Sequence, residues 1–259
     1  MLRLNTLLGR VQSNVREKGP AEFVRKVFFK VLWRSSSRIL EPRVKQRLSS
    51  LVSRISSVDD AVELAFSFKY LGVSLAPWQS RREIADLLEI LRLRKPRIAL
   101  EIGTAKGGTL LLFAQVARED ARIITVDLPG GQFGGGYPKW MVPILSSVGR
   151  PGQEIHLMLG DSHSEGTSNM IKEIIGDDSV DFLFIDGDHT YEGVKKDFDM
   201  YHPMVREGGI VAFHDIRPGP LGLVGGVPDF WKEVSARYQS KVIVDPSGQH
   251  CCGIGVLFL

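Results

Sequence analysis

The sequence predicts an α/β fold with a mainly parallel sheet, helices on both of its faces, and a basic helical extension at the N-terminus. Three observations support this prediction. From residue 97 onward, short β-rich runs alternate with stretches of helical periodicity. Glycines or carboxylates follow the first five of these runs. Basic residues are concentrated in the first 57 positions, which hold 13 Lys and Arg against 3 Asp and Glu.

The alternation of these runs predicts where the individual strands and helices lie. Strands are expected at Arg97–Ile102, Ile123–Val126, Glu154–Leu159, Asp181–Ile185, Gly209–Phe213, Lys241–Val244 and Gly253–Phe258, with helices near 107–119, 137–148, 165–176, 191–203 and Asp229–Tyr238. Parallel neighbours need crossover connections, so the loops that follow the strands should gather at one edge of the sheet. Residues 59–93 predict two further helices, the first capped by Asp59 and Asp60 and the second by Ser80.

The charge distribution divides the chain near residue 58. Residues 1–57 carry a net charge of +10 and residues 58–259 a net charge of −7. We therefore expect a basic helical arm (1–57) and a main domain (58–259) whose acidic surface does not bind nucleic acid.

The arm contains an amphipathic stretch from Phe23 to Leu32, with most of its cations on the opposite side. Two alternatives stay open for it. Residues 20–34 contact an anionic membrane surface, or the stretch packs on the main domain or on a second copy of the chain in a homo-oligomer.

The expected cellular compartment is inferred from the missing apolar segment and the missing disulfide pattern. It has no run of about 18 apolar residues, so no membrane-spanning helix is expected. Its two cysteines, Cys251 and Cys252, are adjacent, which provides neither a disulfide framework nor metal-binding spacing. The expected location is the cytoplasm, with peripheral membrane contact through the arm.

Two of the predicted loops suit a nucleotide-like ligand. The first strand runs into Glu101-Ile102-Gly103-Thr104-Ala105-Lys106-Gly107-Gly108, which serves either close ligand approach or tight packing. It has neither the P-loop order nor the G-x-G-x-x-G spacing, since Ala105 stands where the second glycine belongs. Asp127 ends the second strand, where a carboxylate can accept from both hydroxyls of a ribose.

The loops after the third, fourth and fifth strands also contain acidic residues and histidines. The third strand is followed by Gly160-Asp161-Ser162-His163, the fourth by Asp186-Gly187-Asp188-His189-Thr190-Tyr191, and the fifth by His214-Asp215. Together with the segment from Val180 to Asp197, this arrangement resembles the class I S-adenosylmethionine-dependent methyltransferases over roughly residues 78–259. The resemblance is to the branch of small-molecule and sugar O-methyltransferases, including cephalosporin-hydroxylase-like and macrolide-sugar enzymes.

The resemblance implies a Rossmann-like sheet of seven strands, with the last strand antiparallel and inserted between the fifth and the sixth. It also implies S-adenosylmethionine as the cofactor and transfer of its methyl group to a hydroxyl of a small molecule, such as a sugar or glycolipid. Residue by residue, it implies the following cofactor-binding positions: Glu101, Gly103, Thr104, Gly107, Gly108, Asp127, Asp161, Ser162 and Asp186.

The same resemblance implies the reactive groups. His189 is the expected general base, and Asp186 and Asp215 are the expected ligands of a magnesium ion. His214 is the third candidate ligand. It stands where the metal-dependent relatives have a carboxylate, which weakens the case for Mg²⁺ because that ion prefers oxygen ligands. Asp186 and Asp215 can instead form a polar wall without a metal. His163 is expected to be a surface or helix polar residue and not a ligand.

Other functions stay open at this stage. Metal-independent methylation at nitrogen or carbon would use the same fold. A dinucleotide-binding oxidoreductase also combines a glycine turn with an acid after the second strand, although the G-x-G-x-x-G spacing is missing. A non-catalytic cofactor-binding scaffold would not need the acids and histidines that follow the fourth and fifth strands.

Overall fold

The structure is a computed structural model that describes residues 39–129, 136–219, 224–246 and 252–259. The amphipathic stretch from Phe23 to Leu32, and with it the predicted contacts of residues 20–34, lies outside these ranges, as does Cys251. Within the described ranges, no helix is both long enough and apolar enough to cross a bilayer.

Helices and strands alternate through most of the described chain. The helices are α1 (39–52), α2 (Val58–Ser67), α3 (Arg81–Arg94), α4 (Gly108–Val116), α5 (Val142–Leu145), α6 (Glu165–Ile175), α7 (Tyr191–Tyr201) and α8 (Val227–Ser235), with 3-10 turns at Lys139–Met141 and His202–Met204. The strands are β1 (Lys69–Tyr70), β2 (Val73–Ser74), β3 (Ile98–Ile102), β4 (Arg122–Asp127), β5 (Glu154–Leu159), β6 (Val180–Ile185), β7 (Val205–His214), β8 (Gln239–Ile243) and β9 (Ile254–Phe258).

A seven-stranded sheet with the order β5-β4-β3-β6-β7-β9-β8 forms the centre of the fold. Strands β3 to β7 pair in parallel, and β9 is antiparallel to both of its neighbours. The predicted Rossmann-like sheet, with the last strand inserted next to the fifth, is therefore confirmed. The carboxyl ends of the five parallel strands lie at one edge, which is where such sheets bind ligands.

Alternation of side chains along the strands produces two hydrophobic layers. Phe182 and Phe184 of β6 face one layer, where Phe113 of α4 meets them edge-on at centroid distances of 5.0 and 5.2 Å. Leu183 and Ile185 point to the other layer, which α6, α7 and α8 cover. This period of two is the direct consequence of strand geometry, and it buries both faces of the sheet.

Helix α1 lies on the N-terminal side of the boundary predicted at residue 58, and it packs into the same hydrophobic layer as α2 to α4. Val44, Leu48 and Val52 are buried there. The predicted division into residues 1–57 and 58–259 stays a prediction, but the hydrophobic core extends at least to Val44.

The capping residues differ from the prediction. Ser57 caps α2, and Asp60 returns the bond to the Ser57 backbone in a capping box, because only a residue three positions after the cap can reach back to its N–H. Ser80 does occupy the cap position of α3, but its hydroxyl donates to Asp245 at 2.9 Å. This bond ties the start of α3 to the segment that follows β8.

Candidate active site

The glycine turn after β3 is shaped first by contacts within the protein. Gly103 has φ +98°, and a Cβ there would lie 2.0 Å from the backbone oxygen of Asp186. A Cβ on Gly108 would lie 2.2 Å from the backbone oxygen of Leu75. Close packing thus requires both glycines, whatever the turn binds. The side chain of Thr104, predicted to line the turn, bonds instead to the buried Thr125 hydroxyl.

Ala105, the residue that departs from the glycine pattern, adopts the left-handed conformation with φ +46°. Its backbone N–H donates to Asp127 Oδ2 at 2.5 Å. This hydrogen bond to Asp127 therefore holds the turn in a left-handed conformation, which glycine would adopt at a lower cost in free energy. Gly107, with φ +81°, follows as the cap of α4.

Asp127 is buried at the end of β4, beside this turn. Burial raises the pKa of its carboxyl, although backbone N–H groups of Ala105, Thr104 and Gly136 oppose that change. The carboxylate thus lies at the sheet edge where the sequence analysis placed it, and it also organises the turn.

Buried polar groups lie near Asp127 and Glu101. Burial raises the pKa of Glu101 to about 8, with smaller contributions from the charges of Asp186 and Asp127, while the hydroxyls of Thr109 and Thr125 act in the opposite direction. Tyr137 Oη is buried and has no hydrogen bond within the described part of the chain. Burial, then the charges of Asp127 and Glu101, raise the pKa of this phenol. Buried polar atoms without partners are rare, so this hydroxyl indicates where a polar ligand fits.

Four ionisable side chains meet at the carboxyl ends of β6 and β7. His189, just before α7, lies between two carboxylates: Nε2 is 3.4 Å from Asp186 Oδ1, and Nδ1 is 3.2 Å from Asp215 Oδ2. His214 Nδ1 is 3.2 Å from Asp186 Oδ1 and 3.3 Å from Asp215 Oδ1. The side chains predicted as base and metal ligands therefore form one cluster, called the His–Asp cluster below.

The pKa values of the two carboxylates in the His–Asp cluster are shifted in opposite directions. Burial favours the neutral form of Asp186, but the neighbouring His214 and His189 outweigh it and lower the Asp186 pKa below its usual range. Burial raises the pKa of Asp215, and the charge of Asp186 adds to that effect. Burial also opposes the charged form of His214, yet Asp186 and Asp215 raise its pKa. Neighbouring groups with divergent pKa values are typical of acid–base sites.

The donor atoms of Asp186, His189 and Asp215 all lie within 4.8 Å of one another. Two carboxylate oxygens and one imidazole nitrogen suit a divalent cation, and the nitrogen favours a transition metal over Mg²⁺. His214, proposed from sequence as the third ligand, forms a second such group with Asp215 and Cys252. The residues present are thus compatible with a metal at this edge of the sheet.

Gln79 is a site residue that sequence reasoning missed. It lies between β2 and α3, is 4% exposed, and donates from Nε2 to Asp186 Oδ2 at 2.7 Å. Its Oε1 is buried and has no hydrogen bond within the described ranges. The neighbouring Trp78 is 72% exposed, with Lys106 Nζ 5.1 Å from its ring centroid. An exposed tryptophan next to a buried glutamine was the only local signal, and it did not reveal the contact with Asp186.

The segment after β5 contains Asp161, Ser162 and His163. Asp161 Oδ1 accepts from the His163 backbone N–H at 2.8 Å, and the backbone oxygen of Ser162 accepts from the Tyr201 hydroxyl. His163 differs from the prediction of an ordinary surface residue, because its ring lies 3.2 Å from the fully buried carboxylate of Asp197.

The family comparison supports the interpretation of this edge. Residues 100–216, which include the glycine turn, Asp127 and the His–Asp cluster, match a family model described as a methyltransferase domain. This segment, a little under half of the chain, is therefore similar to methyltransferase domains. This finding counts against the dinucleotide-binding oxidoreductase considered above.

Solved structures share the fold of this chain. An O-methyltransferase from Bacillus cereus in complex with SAH aligns with a TM-score of 0.55 and 15% identity, covering 84% of this chain and 97% of that one. A candidate O-methyltransferase from Klebsiella pneumoniae aligns with a TM-score of 0.54 and 16% identity, covering 88% and 99%. A candidate caffeoyl-CoA O-methyltransferase from Staphylococcus aureus gives 0.53 and 18%, covering 83% and 99%. At these identities the likeness establishes the fold.

Curated relatives match this chain over only a small part of their own length. The uncharacterized protein y4gI of Sinorhizobium fredii is 30% identical over 168 residues, which is 63% of this chain and 17% of that protein. The uncharacterized protein R132 of Acanthamoeba polyphaga mimivirus is 50% identical over 36 residues, or 14% of this chain and 16% of that protein. The chain therefore spans about a sixth of the length of the curated relatives it matches.

Proposed function

We propose that this protein transfers a methyl group from S-adenosylmethionine to a hydroxyl of a small molecule, such as a sugar or glycolipid. The observation that carries the proposal is the His–Asp cluster, which lies one strand away from the glycine turn at the same edge of the sheet, within the segment similar to methyltransferase domains. The Bacillus cereus protein of the same fold is described in complex with SAH, the product form of that cofactor.

The cofactor fits the residues between β3, β4 and β5. Asp127 would accept from the ribose hydroxyls while it holds the turn through Ala105. The Tyr137 hydroxyl, which has no hydrogen bond within the described ranges, and the buried Glu101 carboxyl would face the polar groups of the methionine end. Asp161 and Ser162 would approach the adenine, and Gly103, Gly107 and Gly108 would shape the turn. Asp186 lies next to Gly103, where the cofactor-binding region and the His–Asp cluster meet.

The chemistry divides between the cofactor and the protein. S-adenosylmethionine supplies a methyl group already activated on a sulfonium. The protein must therefore orient an acceptor hydroxyl and remove its proton as the oxygen forms its bond to the methyl carbon, while the bond from that carbon to sulfur breaks and SAH leaves. His189 would receive this proton at Nε2, the nitrogen whose contact with Asp186 is the longer of its two at 3.4 Å. Asp215, next to Nδ1, stabilises the resulting charge on the ring.

The proposal includes a divalent cation at the His–Asp cluster as an alternative, which the chelator experiment below tests. Asp186 and Asp215 would hold it with the imidazole of His189, which would then not serve as the base. The bound cation would instead lower the pKa of the acceptor hydroxyl. In its absence the same carboxylates orient the hydroxyl directly.

The decisive experiment incubates the purified full-length protein with methyl-labelled S-adenosylmethionine and fractionated cell extract, followed by mass analysis of labelled products. A product that gains its methyl group on oxygen supports the proposal, and a product methylated on nitrogen or carbon contradicts it. A parallel incubation with EDTA, followed by return of Mg²⁺, Mn²⁺ or Zn²⁺, decides whether a cation takes part. Activity that survives the chelator would remove the metal from the proposal.

A further inference from the structure

One buried carboxylate outside the His–Asp cluster has no role in the reaction proposed above. Asp197, on the inner face of α7, is 0% exposed. Neither of its oxygens has a hydrogen bond of good geometry within the described ranges. Burying an ionised carboxylate is costly unless a partner compensates for the loss of water.

The charged partner within reach of Asp197 is His163. The ring Nε2 of His163 lies 3.2 Å from Asp197 Oδ1 and 3.1 Å from the backbone oxygen of Gly193. Among the described residues, the ion pairs of Asp197 involve no lysine or arginine. Protonated His163 therefore compensates a carboxylate that would otherwise be buried alone.

The pair connects two loops that the proposed function uses. His163 belongs to the segment after β5 that contains Asp161 and Ser162. On the other side, Asp197 Oδ2 lies only 3.3 Å from the position that a Cβ on Gly187 would take, directly after Asp186. Tyr201 adds a second attachment from α7, because its hydroxyl donates to the backbone oxygen of Ser162 at 2.5 Å.

We infer that His163 is a positioning residue for the cofactor, which holds the segment after β5 against α7 through Asp197. This inference rests on the proposed function, in which Asp161 and Ser162 approach the adenine. His163 acts through that segment and does not itself touch the cofactor.

The arrangement makes cofactor affinity depend on pH. Two groups of α7 face the His163 ring, namely the Asp197 carboxylate and the Gly193 carbonyl. Asp161 faces it from its own segment, and the Tyr201 hydroxyl is bonded to the neighbouring Ser162. The close contact with the Asp197 carboxylate raises the pKa of His163 above its usual value. Burial opposes this change, and the charge of Asp161 adds to it. A raised histidine pKa means that the ion pair is complete below that pKa and is lost as the pH rises through it. Affinity should therefore fall at alkaline pH.

The test is calorimetric titration of the full-length protein with SAH between pH 6 and pH 9. For the natural protein, affinity should fall about tenfold or more with rising pH, the factor typical of one interaction with a charged group. His163→Gln keeps an N–H donor but not the charge, so it should bind SAH weakly at pH 6 and lose this part of the pH dependence. Titration of SAH itself is common to both proteins and cancels.

Two further variants separate positioning from a purely structural role. Asp197→Asn should also flatten the pH profile. The double variant H163Q/D197N forms an uncharged hydrogen-bonded pair, which should restore folding and pH-independent affinity even if a single variant fails to fold. His156→Gln changes a histidine beside Glu154 at the other end of β5, and it should keep the natural profile.

The outcomes are distinguishable. If the natural protein does not bind SAH at any pH, the proposed function fails. If it binds SAH, but H163Q/D197N and the natural protein share one pH profile, the positioning role of His163 is overturned while the proposed function stands.

Discussion

Gln79 donates a hydrogen bond of 2.7 Å to Asp186, a residue 107 positions later in the chain. The bond joins the loop before α3 to the carboxyl end of β6. It occupies Asp186 Oδ2 and leaves Oδ1 to the two histidines. The orientation of this carboxylate is therefore decided by a residue outside the strand-end loops.

Replacing Gln79 should impair methyl transfer without preventing cofactor binding. Gln79→Leu removes the donor to Asp186, and a lost hydrogen bond to a charged group typically costs about 1.5–3 kcal/mol, which is roughly tenfold or more in rate. Gln79→Glu places a second carboxylate there and should cost more. Steady-state rates with the acceptor from the labelling experiment, and SAH titrations, measure the two effects. Gln115→Leu is the control, because Gln115 is a glutamine whose side chain donates to the Val148 backbone oxygen and not to a carboxylate of the His–Asp cluster. Equal rates for both leucine variants would contradict this role.

His189 and Asp215 should be needed for turnover more than for cofactor binding. Loss of a positioned base typically lowers the rate by about 10²–10⁴-fold. We expect that reduction for His189→Ala, with SAH affinity nearly unchanged. Asp215→Asn should lower turnover as well and abolish any metal dependence. If His189→Ala retains full activity with the true acceptor, the base lies elsewhere, and His214 is the next residue to replace.

Asp127 should contribute directly to the affinity for SAH. Asp127→Ala leaves ribose hydroxyls and the Ala105 N–H without their acceptor, a loss of at least about 1–3 kcal/mol in binding free energy. Calorimetry measures this loss, with Asp120→Asn as an exposed control beyond the other end of the strands. Undiminished binding by Asp127→Ala would rule out the ribose assignment.

Replacing Ala105 by glycine should raise the free energy of unfolding. Ala105 has φ +46°, a conformation that costs most residues about 1 kcal/mol or more and costs glycine little. We expect a gain of up to about 1 kcal/mol in denaturant titrations, reduced by the greater freedom of glycine in the unfolded chain. Ala114→Gly, within α4, should have the opposite sign. A destabilised Ala105→Gly protein would show that the alanine methyl group packs favourably.

Removal of residues 1–38, the part of the basic arm that precedes the described helix α1, should abolish vesicle binding. Residues 1–38 contain 9 Lys and Arg against 2 Asp and Glu. The full-length protein should sediment with anionic vesicles, less so at high salt, and a chain that starts at residue 39 should not. That shorter chain keeps the core residues Val44, Leu48 and Val52, so it should still bind SAH. Vesicle binding that is absent at every salt concentration would leave subunit contact as the alternative, measured by the oligomeric state of both proteins.

Much of the fold was predictable because its signals are local. Along β6, Val180-Asp181-Phe182-Leu183-Phe184-Ile185 is apolar on both faces, as a buried parallel strand requires. The seven strands of the main sheet were located within a few residues, although β7 begins at Val205 and not at Gly209. The two-residue strands β1 and β2 were not predicted. A 3-10 turn and the short α5 replace most of the predicted helix 137–148, since Pro143 and the preceding loop limit its length.

The sequence by itself determined which side chains reach the carboxyl edge of the sheet. A residue that directly follows a parallel strand must lie there, so Asp127, Asp186 and Asp215 could be placed from periodicity alone. Only the tertiary structure decided their partners. Gln79 meets Asp186, and His163 meets Asp197 across 34 residues, because separate elements pack against the same strands. Such contacts depend on distances between elements that no local pattern encodes, and they set the charge and orientation of each group.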